Sequence, residues 1–171
     1  MAVRTPEQYF ESLKDGRVVY CLGERVKDVT EHPFLKICAN WCAAYYVLAQ
    51  DSRYRDLFTA KNEEGELVSF NFLPLRTKED LLRRRETVLN LARMCFGKPS
   101  GAQFTGIDGM NALTVVSQRV DKKCGTNYSK NVEAYRKYMQ KNDLTLALAM
   151  TDVKGDRSLR PSQQKPHQDY Y

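Results

Sequence analysis

Between His32-Pro33 and Asp51, the apolar residues Phe34, Ile37, Cys38, Trp41, Cys42, Tyr45 and Leu48 recur at spacings of three and four. That period puts them on one side of a helix, and it predicts the most apolar helix of the chain. Weaker signals surround it. Thr5 can accept from the exposed amides of a first turn, Pro6 suits that turn, and Gln8 can close a capping box. A helix carrying Tyr9, Phe10 and Leu13 on one face, stopped by Gly16, is therefore expected. Two β-branched runs around Leu22-Gly23-Glu24 predict a small hairpin. Arg53 to Phe58 reads as a second helical piece, Asn62 to Gly65 as a turn, and Glu66 to Phe72 as a short extended segment.

Thr77 predicts the cap of a long helix reaching Phe96, with Leu81, Leu82, Val88, Leu89, Leu91 and Ala92 as its buried stripe. Arg83, Arg84 and Arg85 are consecutive, so they point about 100° apart and cannot form one phosphate-binding row; a solvated face is expected. Gly97 to Gly109 is rich in glycine and predicts a functional loop that matches neither Walker A nor GxGxxG. A helix from Met110 to Lys123 follows, broken at Gly125. Another spans Tyr128 to Asn142, with Val132, Tyr135 and Tyr138 at helical spacing. Leu144 to Met150 either extends that helix or leads into a buried segment. The whole reads as mainly α with a small β-hairpin.

Several classes are excluded by composition. No apolar run approaches the roughly 20 residues of a membrane span, and MAVRTPEQYF lacks the apolar stretch of a leader, so a cytoplasmic protein is expected. Five cysteines without a CxxC spacing predict reduced, mostly buried thiols, and two histidines leave little for a metal site. The net charge of +6 is dispersed and the aromatics fall on core-spaced faces, which argues against nucleic acid. No hydrolase motif such as GxSxG or HExxH is present. The stretch Ala149 to Ser162 combines hydroxyls, backbone amides freed by Gly155, and Arg157 with Arg160. Such a stretch suits a polar, phosphate-bearing cofactor lying against the backbone; a surface loop with solvated arginines suits it equally.

TPEQYFESLKDGRVVYCLGERVKDVTEHP, LAQDSRYRDLFT, the Phe72 to Arg85 stretch, GIDGMNA, GTNYSKNVEAYRKYMQKNDL and AMTDVKGDRSLRPSQQK together resemble the N-terminal domain of the 4-hydroxyphenylacetate 3-hydroxylase and 4-hydroxybutyryl-CoA dehydratase family, in order and from end to end. The resemblance implies the helical N-terminal domain of an acyl-CoA-dehydrogenase-like flavoenzyme. Residues 1–150 would form that domain, and 151–171 a flavin-side loop leading into a β-barrel domain absent from this sequence. It implies FAD beside Thr151, Asp152, Gly155, Asp156 and Arg157, and a substrate pocket touched by Ser100, Phe104, Thr105 and Asn111. Partners would be the flavin barrel and C-terminal helices, in the same full-length chain or on another subunit, completing a tetramer. No nucleic acid and no membrane enter.

GTNYSKN, the KND turn and AMTDVKGDR look closer to the dehydratase branch than to the phenol hydroxylases. Aligning on Asn111-Ala112 puts Ser100 and Phe104 where the dehydratases have two cysteine ligands of an iron–sulfur cluster, so no metal is expected. Thr105, Gly109 and Leu148 stand where the hydroxylases have an arginine, a tyrosine and a histidine that hold and deprotonate a phenol. The implied substrate is an acyl-CoA or a small aromatic acid. The alternative is a non-catalytic helical interaction module that retains the family fold.

Overall fold

The computed structural model describes residues 3–97, 101–148, 156 and 158–165. Helix α1 (Pro6–Ser12) starts on the expected capping box: Thr5 Oγ1 accepts from the Gln8 amide at 3.2 Å, and Gln8 Oε1 accepts from the Thr5 amide at 2.9 Å. Strands β1 (Val19–Cys21) and β2 (Glu24–Val26) pair antiparallel, with Val19 opposite Val26. Both turn residues, Leu22 and Gly23, have positive φ, as a two-residue hairpin turn matching the strand twist requires. Helices α2 (Leu35–Gln50) and α3 (Arg55–Phe58) follow. A second antiparallel pair, β3 (Thr59–Lys61) and β4 (Leu67–Ser69), closes around the Asn62 turn, where only one extended segment was expected. One 3₁₀ turn (Phe70–Phe72) leads to α4 (Lys78–Met94), α5 (Gly101–Cys124) and α6 (Tyr128–Asn142).

Helix α4 begins where Thr77 predicts, closed reciprocally by Asp80. Its buried residues, however, are Arg84, Thr87 and Leu91, with Cys95 just beyond, while Leu81, Leu82 and Leu89 are exposed. Spacings of three and four hold, but the stripe is rotated, because Arg84 finds buried partners that offset its desolvation. The three arginines do diverge. Arg83 Nη2 donates to the Asp56 carbonyl at 2.6 Å, and its guanidinium lies 4.1 Å from the Phe70 ring centroid. Arg85 pairs at the surface with Glu86. Buried Arg84 and half-buried Arg83 overturn the expected solvated face, which only Arg85 keeps.

The other expected stripes are corrected in the same way. On α2 the buried set is Ala39, Ala43, Ala44, Tyr45, Tyr46, Leu48 and Ala49, whereas Phe34, Ile37 and Cys38 are exposed. Small alanines let neighbouring elements approach, and size at that contact outweighs the hydrophobicity of the residues left outside. Of the five free thiols only Cys95 is buried, and burial pushes it up from the usual thiol range. On α6 the buried residues are Arg136, Met139 and Gln140, with Tyr135 and Tyr138 exposed. The expected loop at Gly97–Gly109 is helical from Gly101 onward.

Two apolar clusters result. The larger gathers Val3, Tyr9, Tyr45, Tyr46, Leu48, Phe58, Leu91 and Cys95 with the α2 alanines. The smaller consists of Phe72, Ile107, Met110 and Met139, with Leu144 and Leu146 packed on it. Arg84 ties them together: its Nη1 donates to Asn71 Oδ1 at 2.7 Å, its Nε to Asp108 Oδ1 of α5 at 3.1 Å, and its guanidinium faces the Phe104 ring. Asp121, near the end of α5, accepts from the amides of Tyr128 and Ser129, each at 2.8 Å, capping α6 from outside. Hydrogen bonds from the Ser129 and Thr126 hydroxyls, with these amides, hold the Asp121 carboxyl well below the usual range. No helix among the described residues is long and apolar enough to cross a membrane.

Candidate functional site

The chain leaves α6 through Asp143, whose left-handed conformation (φ 44°, ψ 52°) turns it back toward α5. The N-terminal residues fix this corner. Asp143 Oδ2 accepts from the Arg4 amide at 2.8 Å, and its carbonyl accepts from the Tyr46 hydroxyl at 2.9 Å and from the Arg4 guanidinium. Gln50 Nε2 donates to the carbonyls of Val3 and Arg4 at 3.2 and 3.3 Å. Burial pushes the Asp143 carboxyl up to about 6, with Arg4 opposing the shift.

From that corner, residues 144–148 cross α5 where glycine permits it. A methyl group at Gly106 would lie 2.0 Å from the Leu146 carbonyl oxygen, so no larger residue fits beneath the crossing. Three residues on, a methyl at Gly109 would meet the Leu148 side chain at 3.5 Å, an ordinary contact. Beside this crossing, the α5–α6 surface opens into a 520 Å³ cavity whose lining includes Gly109, Met110, Leu113 and Val116 of α5, Tyr135 of α6, and Leu148. Among the described residues, no charged side chain lines it. Its volume is that of a small-molecule pocket, and its chemistry suits an apolar or planar group rather than proton transfer by its own walls.

A second depression, of 410 Å³, has a polar lining drawn from the 74–76 loop, α5 and the start of α6, including Arg76, Asn111, Ser117, Lys130 and Glu133. The candidate residues therefore separate. Asn111 lines this polar groove; Phe104 packs against the larger core and under Arg84; Thr105 is exposed one turn before Gly109. Ser100, Thr151, Asp152, Gly155 and Arg157 lie outside the described residues. Asp156 is exposed, and its Oδ1 accepts from the Ser158 amide and hydroxyl at 2.9 and 2.6 Å; Gln164 Oε1 accepts from its amide at 3.0 Å. Its carboxyl is held below the usual range by those Ser158 bonds. Among the described residues, no group of three or more His, Cys, Asp and Glu side chains is placed to hold a metal ion.

Sequence reasoning missed Gly106, Leu146 and the Arg4–Asp143 corner. The first had a signal: Gly106 and Gly109 are three apart, which on a helix is a shared face open to close approach. The corner had none, because Arg4 and Asp143 stand 139 residues apart. Gly109 and Leu148, the positions at which the resemblance places a hydroxylase tyrosine and histidine, line the same cavity and are both apolar.

Fold and cavity define a helical domain presenting one apolar wall. The family model described as "4-hydroxyphenylacetate 3-hydroxylase N terminal" matches residues 5–171, so the chain belongs to that family. It is 40% identical over 166 residues to the 4-hydroxybutyryl-CoA dehydratase/vinylacetyl-CoA-Δ-isomerase of Clostridium aminobutyricum, covering 94% of this chain and 33% of that one. It is 32% identical over 162 residues to the 4-hydroxyphenylacetate 3-monooxygenase oxygenase component of Thermus thermophilus, covering 94% and 32%. Among solved structures, an oxygen-tolerant archaeal 4-hydroxybutyryl-CoA dehydratase from N. maritimus superposes with a TM-score of 0.80 at 32% identity, over 95% of this chain and 32% of that one. The oxygenase component of 4-hydroxyphenylacetate 3-monooxygenase, complexed with FAD and 4-hydroxyphenylacetate, gives 0.71 at 31%, over 95% and 33%. The chain spans about a third of the length of these relatives.

Proposed function

We propose that this chain is the N-terminal helical domain of a cytoplasmic FAD-dependent enzyme acting on an acyl-CoA or a small aromatic acid, with the α5–α6 cavity as one wall of its site. The observation that carries the proposal is that Gly109 and Leu148 line one cavity whose described lining carries no charge. The relatives support it, since they are named for reactions of a CoA thioester and of a phenolic acid.

An uncharged wall fits a flat flavin ring or an acyl chain, and no carboxylate or ammonium on it competes for either. Bound there, FAD would supply hydride, electron or oxygen chemistry, while the protein supplies position and electrostatics. Met110, Leu113 and Val116 would exclude water, and the Gly106 crossing would fix Leu148 against the reacting group. Thr151, Asp152, Gly155, Asp156 and Arg157 are the residues proposed to face the cofactor; Ser100 and Thr105 are proposed at the substrate side. Phe104 would act indirectly, by seating α5 on Arg84. The barrel and C-terminal helices, in the same chain or on a partner subunit, would complete a homotetramer.

Joining those domains to this chain should yield a yellow protein that retains FAD through gel filtration, whereas the 171 residues alone bind it weakly. A completed protein that stays colourless with added FAD would overturn the reading.

A further inference from the structure

The polar groove at the 74–76 loop meets the apolar cavity only at Val132, and two of its side chains are unpaired among the described residues. Ser117 is 94% buried, by its 6% relative exposure, yet its hydroxyl has no hydrogen-bond partner among the described residues; the Asn111 carboxamide nitrogen, buried in the same groove, has none there either. Both sit on α5, where a simple local partner exists, the carbonyl four residues earlier. Elsewhere this molecule uses it. Thr114 donates to Met110 at 2.9 Å, Thr87 to Arg83 at 2.9 Å, Asn90 to Glu86 at 2.9 Å and Asn142 to Tyr138 at 2.8 Å. Asn111 and Ser117 depart from that habit together, and both line one groove. Buried polar groups without partners are rare enough in folded proteins to require an explanation, and a ligand is one.

The rest of the lining says what ligand. Arg76 and Lys130 bring positive charge; Lys130 forms no ion pair with any described residue, and Arg76 holds only a long contact, 3.6 Å, to Glu63. The one carboxylate, Glu133, is taken up by Arg136 and Lys137. The groove therefore offers a hydroxyl, a carboxamide N–H and two cations, with its own anion neutralised from behind. That is a donor set for oxygen acceptors carrying negative charge. Its volume of 410 Å³ is that of a small molecule. We infer that the groove between the 74–76 loop, α5 and α6 is a second binding site, taking a small oxyanion-bearing metabolite, with Asn111 and Ser117 donating to its oxygens and Arg76 and Lys130 neutralising it. This site is independent of the flavin reading, since it shares no polar residue with the apolar cavity.

The test is an NMR titration of the 171-residue chain at constant ionic strength, with sodium phosphate in one arm and sodium citrate in the other. Saturable shifts of the Asn111 carboxamide and of backbone amides 111–118 are expected in at least one arm, and the responding arm identifies a phosphate or a carboxylate as the group recognised. Ser117→Ala should weaken binding about tenfold, as loss of a hydrogen bond to a charged group does. Asn111→Asp, the same size but negative, should abolish it, and Lys130→Gln should flatten its salt dependence. Circular dichroism identical to the parent's keeps the variants informative. Unsaturating drift in both arms, or equal binding by Ser117→Ala and Asn111→Asp, would overturn the site and leave both groups to water.

Discussion

The two apolar clusters behave differently toward their surroundings. In the larger one, buried polar groups are paired inward: the Tyr45 hydroxyl bridges the Phe58 carbonyl at 2.7 Å and Ser69 Oγ at 2.6 Å, and Tyr46 reaches Asp143. Around the smaller one, α5 and α6 bury four residues between them and the 3₁₀ turn while exposing Leu113, Val115, Val116, Tyr128, Tyr135 and Tyr138. Of these, Leu113, Val116 and Tyr135 line the apolar cavity together. One region is a scaffold closed on itself, and the other is a wall closed on one side. The difference fits the proposed function, because the glycine crossing, the cavity and the polar groove all belong to the wall.

The joint between them should be the most sensitive point. Arg84→Ala removes one partner of Asn71, which is 2% exposed, and frees Phe104 and Asp108 at the start of α5. A loss of about 3 kcal/mol in urea unfolding is expected, with α5–α6 melting first. A loss under 1 kcal/mol would mean that the regions stand independently. Gly106→Ala forces the 144–148 segment off α5 and should cost roughly 2–3 kcal/mol, while Gly109→Ala, with room for its methyl, should cost little. Equal effects at the two positions would contradict the crossing.

Asp143 gives a pH signature. Its carboxyl titrates at about 6 in the folded chain, above the roughly 3.9 of an unfolded aspartate, so the folded state holds the extra proton between those values. Its contribution is fully present below about pH 4, declines as pH rises through 6, and is flat above. The decline should amount to about 2–3 kcal/mol and vanish in Asp143→Asn, which keeps an acceptor for the Arg4 amide. Parallel stability–pH curves for parent and variant would refute it. Tyr45→Phe, which orphans the buried Phe58 carbonyl as acceptor and the Ser69 hydroxyl as donor, should cost about 1–2 kcal/mol. At the other extreme, Leu113→Ser with Val116→Ser should change stability by no more than about 0.5 kcal/mol, because both already face outward.

Much of the scaffold was legible in sequence, because its signals are local. The Thr5 and Thr77 caps, the Leu22-Gly23 turn and the period of α2 each depend on residues within a few positions. What was not legible depended on a distant partner. Arg84 reads as solvated until Asn71 and Asp108 are placed beside it, and the leucines it displaces then face outward. The glycines of 97–109 suggest a loop, since glycine usually marks flexibility; their use in a helix shows only when Leu146 arrives on top of Gly106. The candidate substrate residues were drawn from one linear stretch, and the helix sorted them by face: Phe104 inward, Thr105 outward, Asn111 into the polar groove.

Hydrogen exchange, run on the chain alone and then joined to the barrel and C-terminal helical domains of a relative, tests most directly whether α5–α6 is an unfinished wall. Amides 106–116 and 132–138 should gain at least about tenfold protection on joining, while those of α2 and α4 hold their values. Equal gains in both regions, or none in α5–α6, would contradict it.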